Sequence, residues 1–356
     1  MHMTLRPLEE FQALKTHHCV TGSMRHIYEF HDYPISEDLL LGLGAGVGFV
    51  YWHMKGTAPF FGGRANVGRP GEEGLEKTAG RRTGVRVRSY CTASARKAEK
   101  AVLDLLTAGE PVMVQLDMGF LPYFNFPREY HFGGHVVVVA GYDANTRQVL
   151  VVDRDAELHP VSLEVLARAR GSQFKPFPPR NTWHTFGFSH KRPPTPKEVE
   201  QAIREVTKGM LRPPIANLGA RGIRTAAERV LKWPKIMSED ELRNACFNVF
   251  VFIDAKGGSG GGIFRYMYGR FLKEVATITG NNELVKAGEE ICAIGDRWQQ
   301  AAQVFEKAYA APDASRLLPE ASQLILSIAD REEAAWAQLH NIVASSRRTK
   351  WFEKQA

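Results

Sequence analysis

Apolar positions follow two different periodicities in the first half of the chain. Near the N-terminus they recur at helical spacing, at Val20, Met24, Ile27, Tyr28 and Phe30. That spacing predicts a helix over about 20–31, which ends at the break Asp32-Tyr33-Pro34. Farther on, the β-branched run 136–140 predicts a buried strand, and turn residues 143–147 join it to the apolar stretch 148–153. These two stretches predict an antiparallel hairpin.

The chain divides at a charged, proline-rich stretch, Lys191–Pro196, which is typical of a linker. Before it, further strands are expected at 49–52, 85–90, 111–117 and 181–188, and helices at 36–41, 94–108 and 163–170. Residues 55–84 are expected to form a long loop with a short helix at 71–80. After the linker the spacing is helical, over about 196–211, 217–231, 238–254, 261–279, 282–310 and 315–346. The sequence predicts an α+β domain over 1–190 with an antiparallel sheet, then an all-helical domain over 191–356.

Composition places this chain among globular proteins. Of its 356 residues, 44% are hydrophobic and 24% are charged, and no apolar run approaches the roughly 20 residues of a membrane span. The N-terminus lacks the hydrophobic stretch of a signal peptide, so we expect a cytoplasmic protein with no membrane partner. The net charge of +7 is scattered and lacks interleaved aromatic side chains, so no nucleic-acid partner is expected. The basic residues then form solvated faces or dock an acidic protein.

The four cysteines are widely spaced and form no CxxC pair, so neither a metal site nor a disulfide framework is predicted. Cys19 differs from the others because it directly precedes the first predicted helix. The positive end of a helix dipole lowers the pKa of a thiol at that place and makes the thiolate more available. A thiolate also needs a base or an ion-pair partner, and His135, at the start of the buried strand, is the best candidate.

The predicted hairpin supplies a carboxylate as well as a base. Strand periodicity places Asp153 and Asp155 on the same face as His135, so Asp153 can orient the imidazole. Cys19, His135 and Asp153 thus meet the requirements of cysteine–histidine catalysis, in the order helix, strand, next strand that is typical of papain-like folds. On spacing alone an alternative stays open, in which the thiol is simply buried and the histidine ends a strand for packing reasons.

Two glycine-rich runs resemble nucleotide-binding loops. The run Gly42–Gly48 follows a helix and lacks a βαβ unit, so close backbone packing is favoured over a dinucleotide site. The second run, Gly257–Gly262, precedes a helix that carries Arg265 in its first turns. Backbone N–H groups at Gly260 and Gly261, helped by Arg265, are candidates to bind a phosphate. A closely packed loop between helices is the alternative.

Several motifs carry a family resemblance. In the N-terminal half they are His18–Ser23, Gly42–Phe49, Gly134–Val138 and Val151–Asp153, which resemble the N-terminal domain of butirosin biosynthesis protein H. The helical half resembles the C-terminal domain of that family through Gly257–Tyr268, so the resemblance spans nearly the whole chain in the same domain order. The N-terminal half is also similar, more distantly, to the peptidase domain of double-glycine bacteriocin exporters. A papain-like, cysteine-peptidase-type fold is therefore expected.

The resemblance implies an acyltransferase of antibiotic biosynthesis. The butirosin protein moves an aminoacyl chain from an acyl carrier protein onto an amine of an aminoglycoside. Carried over to this chain, Cys19 would take the acyl group from the phosphopantetheine arm of an acidic carrier protein, His135 would shuttle the proton, and Asp153 would orient His135. An amine would then receive the acyl group. No bound cofactor or metal is expected, and homo-oligomerisation is left open.

Two other functions are compatible with the same residues. A papain-like peptidase or amide hydrolase would keep the fold and pass the acyl group to water instead of to an amine. A carrier-protein or small-molecule binding module would keep the fold without catalysis. An intact set of Cys19, His135 and Asp153 argues against the binding module, and an inert thiol would argue for it.

One departure from the exporter peptidases concerns the oxyanion donor. Those enzymes place a glutamine six residues before the nucleophile, where this chain has Ala13, and Gln12 lies one position off. We expect the Cys19 N–H, with the side chain of His18 or Gln115, to serve instead.

Substrate binding is expected near the aromatic loop that follows the strand at 111–117. Asp117 is a candidate to bind a cationic amine acceptor, and Tyr123 and Tyr130 are candidates to line that pocket. A surface turn at Asp117 and simple packing of the two tyrosines are the alternatives.

Overall fold

The computed structural model describes residues 5–54, 57–68 and 73–352, with side chains described as far as residue 345. The helices are α1 (Cys19–Phe30), α2 (Glu37–Leu43), α3 (Gly74–Arg82), α4 (Ala95–Thr107), α5 (Leu163–Arg170), α6 (Pro196–Leu211), α7 (Gly219–Val230), α8 (Glu239–Ile253), α9 (Arg265–Thr279), α10 (Glu283–Ala310) and α11 (Leu318–Phe352). The strands are β1 (Val47–Trp52), β2 (Phe60–Arg64), β3 (Arg86–Tyr90), β4 (Val112–Leu116), β5 (His135–Asp143), β6 (Gln148–Val152), β7 (Leu158–Ser162) and β8 (Trp183–Gly187).

These elements form two compact units. The first unit joins Met1–Leu40 to Thr83–Arg192, and the second joins Leu41–Arg82 to Pro193–Ala356. The predicted α+β class is confirmed, because antiparallel sheets come first and the described residues after β8 form helices and turns. The papain-like type stays a prediction. No helix in the described ranges is both long enough and apolar enough to cross a membrane.

The first unit is built on one six-stranded sheet in the order β3-β8-β4-β5-β6-β7, with neighbouring strands antiparallel. Strand β5 lies inside this sheet and is buried along nearly its whole length. Val137 and Val139 belong to the core that α4 and α5 cover, through Val102 and Leu166 among others. Helix α1 also packs against β5. Burial on both faces explains the unbroken apolar run of this strand.

The hairpin of β5 and β6 has a register set by a bulge. Next to the turn, Asp143 faces Gln148, whereas Val138 faces Val152. The irregularity between Val139 and Gly141 shifts the pairing by one residue. This shift brings the first residue of β5 beside the segment that follows β6, as the sequence predicted.

The second unit differs from the predicted division at residue 190. Its first segment contains β1, β2 and α3, and β2 was expected to be loop. The ring of Phe49 in β1 stacks on Trp298, at 5.5 Å between centroids, and Tyr51 Oη accepts a hydrogen bond of 3.2 Å from Trp233 Nε1. These buried contacts attach residues 41–82 to the helical part of the chain, so the two-domain split by sequence position was wrong for this segment.

The first glycine-rich run packs closely, as predicted. A Cβ atom at Gly42 would overlap the ring of Phe271, which is fully buried in the same unit. The absence of a side chain at Gly42 lets α2 and α9 approach this closely.

Candidate active site

The N-terminus of α1 presents Cys19. His18 is the N-cap, in extended conformation with φ −119° and ψ 132°, and Cys19 is the first residue of the helix. Cys19 as a residue is partly buried, and its thiol group lies in the interior. Since the first N–H groups of a helix have no partner within the helix, a positive potential acts at this sulfur.

The sheet supplies the histidine and its carboxylate. His135 begins β5 and Asp153 directly follows β6, and both side chains are buried. His135 Nε2 lies 2.6 Å from Asp153 Oδ2. His135 also interacts with the Cys19 thiol and lowers its pKa. Because Nε2 is engaged by Asp153, Nδ1 is the nitrogen left to face the sulfur. The structure therefore brings Cys19, His135 and Asp153 together in one row.

The charges in this row stabilise each other. Burial opposes ionisation of Cys19, but the charge of His18 and hydrogen bonds to His135 and His18 outweigh it and hold the pKa of the Cys19 thiol well below its ordinary value. Burial also favours a neutral His135, yet the charge of Asp153 and its hydrogen bond raise the pKa of His135 to about 9. Although burial would raise the pKa of Asp153, the charge of His135 lowers it. The favoured resting state is a thiolate beside an imidazolium.

Tyr123 has a different place from the predicted one. Its hydroxyl donates a hydrogen bond of 3.0 Å to Asp153 Oδ2, the same oxygen that His135 contacts. Its ring stacks on His159, whose Nε2 lies 2.9 Å from Asp155 Oδ2. Burial, with the nearby charge of Asp153, raises the pKa of the Tyr123 hydroxyl, so the group remains a donor. Tyr123 therefore orients Asp153 and is not a free wall of a substrate pocket.

A second buried cluster adjoins Cys19 through His18. His18 Nδ1 lies 3.1 Å from Thr21 Oγ1 and 3.4 Å from the Thr21 backbone nitrogen. Glu37 accepts hydrogen bonds from the His17 N–H at 2.8 Å and the His18 N–H at 3.1 Å. The Thr21 hydroxyl donates to the same carboxylate at 3.4 Å. His18, the expected auxiliary residue, is thus held beside the sulfur.

Two other predicted residues have contacts away from the sulfur. The Gln115 amide donates a hydrogen bond of 2.8 Å to the Gly133 carbonyl. Tyr130 is partly buried and packs on Phe126, with 4.4 Å between ring centroids. A third aromatic side chain, Phe124, lies edge-on to the His135 ring at 5.7 Å. Of this loop, the structure therefore brings Phe124 and Tyr123 to the site.

Asp117 was predicted wrongly as an amine-binding residue. Its side chain is fully buried. The carboxylate accepts hydrogen bonds from the Phe132 N–H and the Ser172 hydroxyl, and one oxygen lies 2.9 Å from His131 Nδ1. These hydrogen bonds attach the aromatic loop to the sheet. The Asp117 carboxylate is therefore turned inward and does not face a substrate.

The predicted phosphate site at Gly260, Gly261 and Arg265 is also corrected. Arg265 is fully buried and forms a two-bond ion pair with Glu332, each bond being 2.8 Å. Its remaining contacts go to the carbonyl oxygens of Gly48 and Ile263. The Gly261 N–H donates to Ser259 Oγ, and Gly260 and Gly261 both adopt positive φ, so the run is the closely packed loop that was the alternative.

Sequence reasoning missed Glu37, Thr21 and the role of Tyr123. Glu37 was read only as part of a helix start, and α2 does begin at that residue. Its contact with His17 and His18 joins segments about 20 positions apart, for which the local sequence has no signal. Thr21 lies three residues after the N-cap, and that spacing is the one signal that could have indicated a contact with His18.

One group in the described part of the chain has the composition of a metal site. The side-chain donors of Asp155, Glu157 and His159 lie within 4.8 Å of one another. Both carboxylates are exposed, and His159 already pairs with Asp155, so the group reads as a surface ion pair.

The fold and the site define an α+β protein with a cysteine, a histidine and an aspartate joined in one row. Residues 18–154 match the family butirosin biosynthesis protein H, N-terminal, and residues 164–339 match a domain of unknown function, DUF4872. The expected resemblance to butirosin biosynthesis protein H is therefore confirmed over residues 18–154. The match begins one residue before Cys19 and ends one residue after Asp153. A search of curated proteins gave no match. The family indicates an enzyme of antibiotic biosynthesis.

Proposed function

We propose that this protein is a cysteine-dependent acyltransferase that forms an amide. The acyl donor is a thioester on the phosphopantetheine arm of an acyl carrier protein, and the acceptor is a small-molecule amine. The observation that carries the proposal is the contact of His135 Nε2 with Asp153 Oδ2 at 2.6 Å, beside the Cys19 thiol. A thiolate with a lowered pKa and a protonated histidine beside it are the groups that thioester exchange needs.

The first half-reaction moves the acyl group to the enzyme. The Cys19 thiolate attacks the thioester carbonyl, and the tetrahedral intermediate collapses by breaking the bond to the carrier sulfur. The His135 imidazolium gives its proton to that leaving thiolate, so the carrier departs as a free thiol. Thioester exchange is nearly isoenergetic, and the product is an acyl-Cys19 thioester.

The second half-reaction forms the amide. The amine attacks the acyl-Cys19 carbonyl while neutral His135 takes a proton from the amine nitrogen. The carbon–sulfur bond breaks, and the Cys19 thiolate and His135 imidazolium are regenerated. Asp153 stays ionised throughout, because its role is to hold the imidazole and stabilise its charged form.

The charge of the chain supports a carrier-protein donor. The protein carries a net charge of +7. Acyl carrier proteins are acidic, so opposite charge favours their encounter and increases the association rate at low ionic strength.

The proposal is tested with a small thioester and a set of amines. The full-length protein is incubated with S-butyryl-N-acetylcysteamine, and then with spermidine or an aminoglycoside. We expect intact-mass spectrometry to find one butyryl group on Cys19, and liquid chromatography to find the butyramide of an amine. The Cys19→Ala variant loses both signals, whereas Cys91→Ala, which removes an exposed cysteine, keeps both.

Two results would contradict the transferase. The absence of a butyryl adduct on Cys19 with both this thioester and a butyrylated carrier protein would exclude the first half-reaction. An adduct that yields only butyrate, at every amine concentration, would identify a hydrolase instead.

A further inference from the structure

Attack on a thioester places negative charge on the carbonyl oxygen, and this charge needs a donor. We propose that His18 is that donor, through Nε2–H, because Thr21 and Glu37 hold the ring on its Nδ1 side. The inference rests on the proposed acyl transfer and names further residues of the same site. Glu37 and Thr21 act through His18 and are therefore positioning residues.

The His18 ring is held on its Nδ1 side. Nδ1 lies 3.1 Å from Thr21 Oγ1, and the Thr21 hydroxyl in turn donates to Glu37. The charged His18 that lowers the pKa of Cys19 carries a proton on both ring nitrogens. Since Thr21 engages Nδ1, Nε2–H is the group left to face the sulfur. An oxygen bonded to the carbon that Cys19 attacks forms within reach of the same donor.

The buried carboxylate of Glu37 holds the residues that precede Cys19. Glu37 is 4% exposed and accepts the N–H groups of His17 and His18, which are the two residues before the nucleophile. The same carboxylate receives the Thr21 hydroxyl. One acidic group thus fixes both the backbone that leads into Cys19 and the hydroxyl against which His18 rests. The Cys19 N–H, left without a partner in the helix by its position, is the second donor.

Gln115, the other expected donor, is engaged elsewhere. The Gln115 amide already donates to the Gly133 carbonyl at 2.8 Å. Within the described residues, the side chains that interact with the Cys19 sulfur are those of His18 and His135, and Gln115 is not among them. Of the two side chains expected from the sequence, His18 is the one placed at the sulfur.

The test compares two reactions of the same thiolate. Alkylation by iodoacetamide is a displacement at a saturated carbon and creates no oxyanion. Acylation by p-nitrophenyl acetate passes through a tetrahedral oxyanion and releases p-nitrophenolate in a burst. The ratio of the two rate constants, each taken at its pH plateau, therefore reports the oxyanion donor separately from the amount of thiolate.

Four variants and one control are measured by this ratio. His18→Ser keeps a residue that caps helices, and we expect the ratio to fall about 100-fold, the typical loss for one oxyanion donor. Thr21→Val removes one hydrogen bond to the ring and lowers the ratio about fivefold, whereas Thr21→Ser restores it. Glu37→Gln also lowers the ratio of acylation to alkylation. His190→Gln changes an exposed histidine of the same unit and leaves the ratio unchanged.

Three outcomes would overturn the proposal. A ratio in His18→Ser within twofold of wild type would remove His18 as the donor, and a parallel fall of both rates would reduce it to a stabiliser of the thiolate. A wild-type protein that alkylates at Cys19 but shows no burst would have no oxyanion site. If His18→Ser fails to fold, the Thr21→Val and Thr21→Ser pair decides the question.

Failure of this inference is distinguishable from failure of the proposed function. The acetate ester needs neither a carrier protein nor an amine, so the ratio still reports in a protein that proves to be a hydrolase. Conversely, amide formation with an unchanged ratio in the variants would retain the acyltransferase and reject His18.

Discussion

Burial raises the pKa of the Cys19 thiol, whereas nearby histidines lower it, and the effect of the histidines is larger. Burial favours the neutral thiol and the neutral imidazole, whereas a fully ionised row needs three charges within hydrogen-bond distance of one another. Asp153 resolves this conflict, since its carboxylate holds the proton on His135 and the imidazolium in turn holds the thiolate. Buried charges are tolerated in proteins when they are paired in this way.

The pH dependence of alkylation follows from that pairing. The pKa of Cys19 is lowered and that of His135 is raised to about 9, so the ion pair exists between these two values. We expect iodoacetamide to label wild-type Cys19 at pH values well below the ordinary thiol pKa of about 8.5. Asp153→Asn removes the charge that holds the imidazolium, so the midpoint of labelling moves up by about one pH unit or more.

The measurement is the labelling rate across pH 5–9.5, with the labelled residue mapped by mass spectrometry. Cys246 provides a negative internal reference. Burial raises the pKa of that thiol to about 12, so it stays protonated and unlabelled across this pH range. An unchanged midpoint in a folded Asp153→Asn variant would contradict the role given to Asp153. Acylation of Cys19 by a thioester, which needs the imidazolium as an acid, should decline above about pH 9.

At the scale of elements, the site depends on how α1 is seated. Gly22, one turn into α1, lies where a Cβ atom would overlap Thr16 Oγ1 and come within 3.1 Å of Glu37 Oε1. Thr16 is itself fixed, since its N–H donates to the Arg154 carbonyl at 2.9 Å. The close approach of these segments brings Glu37 to the start of the helix, so the glycine matters for its small size.

We expect Gly22→Ala to destabilise the protein by about 1–3 kcal/mol through overpacking, despite the higher helix propensity of alanine. Gly209→Ala is the matched control, because Gly209 is exposed in α6 with nothing within 4 Å of an added Cβ. That variant should be more stable by about 0.5–1 kcal/mol. Calorimetric unfolding of both variants is the measurement, and a stabilised Gly22→Ala would show that α1 is not tightly seated.

The elements also show what periodicity predicts and what it misses. Helix α1 and strand β5 were predicted because a long apolar pattern has one clear period. Strand β7 was missed because it is a short edge strand that contains Pro160, and β2 was missed because Gly62 and Gly63 lower its strand propensity. The contact of His135 with Asp153 was predicted from turn position alone, although the bulge near Gly141 sets the register on which that prediction relied.

At the scale of the whole molecule, chain order and compact units do not coincide. The linker composition at 191–196 predicts a boundary, and one compact unit changes to the other between Arg192 and Pro193. The second boundary pair, around 40/41 and 82/83, has no compositional mark. What assigns residues 41–82 to the helical unit is a set of buried tertiary contacts, such as Arg265 with the Gly48 carbonyl at 2.8 Å. Patterns within a segment carry no information on which distant segment covers it.

This assignment predicts that β1 stabilises the helices. Phe49 is 3% exposed and stacks on Trp298 of α10, while Trp52, on the same strand, is 45% exposed. Phe49→Ala should cost about 3–5 kcal/mol, whereas Trp52→Ala should change stability by less than about 0.5 kcal/mol.

Hydrogen exchange in the full-length variants is the measurement that separates local from shared stability. If 41–82 and 193–356 form one cooperative unit, Phe49→Ala accelerates exchange in α10 together with β1, because opening either one exposes Trp298. Faster exchange confined to β1 would mean that the helices are stable without this strand, and that residues 41–82 are an appendage of the unit. Trp52→Ala should leave exchange in α10 unchanged, so the comparison depends on burial and not on strand identity.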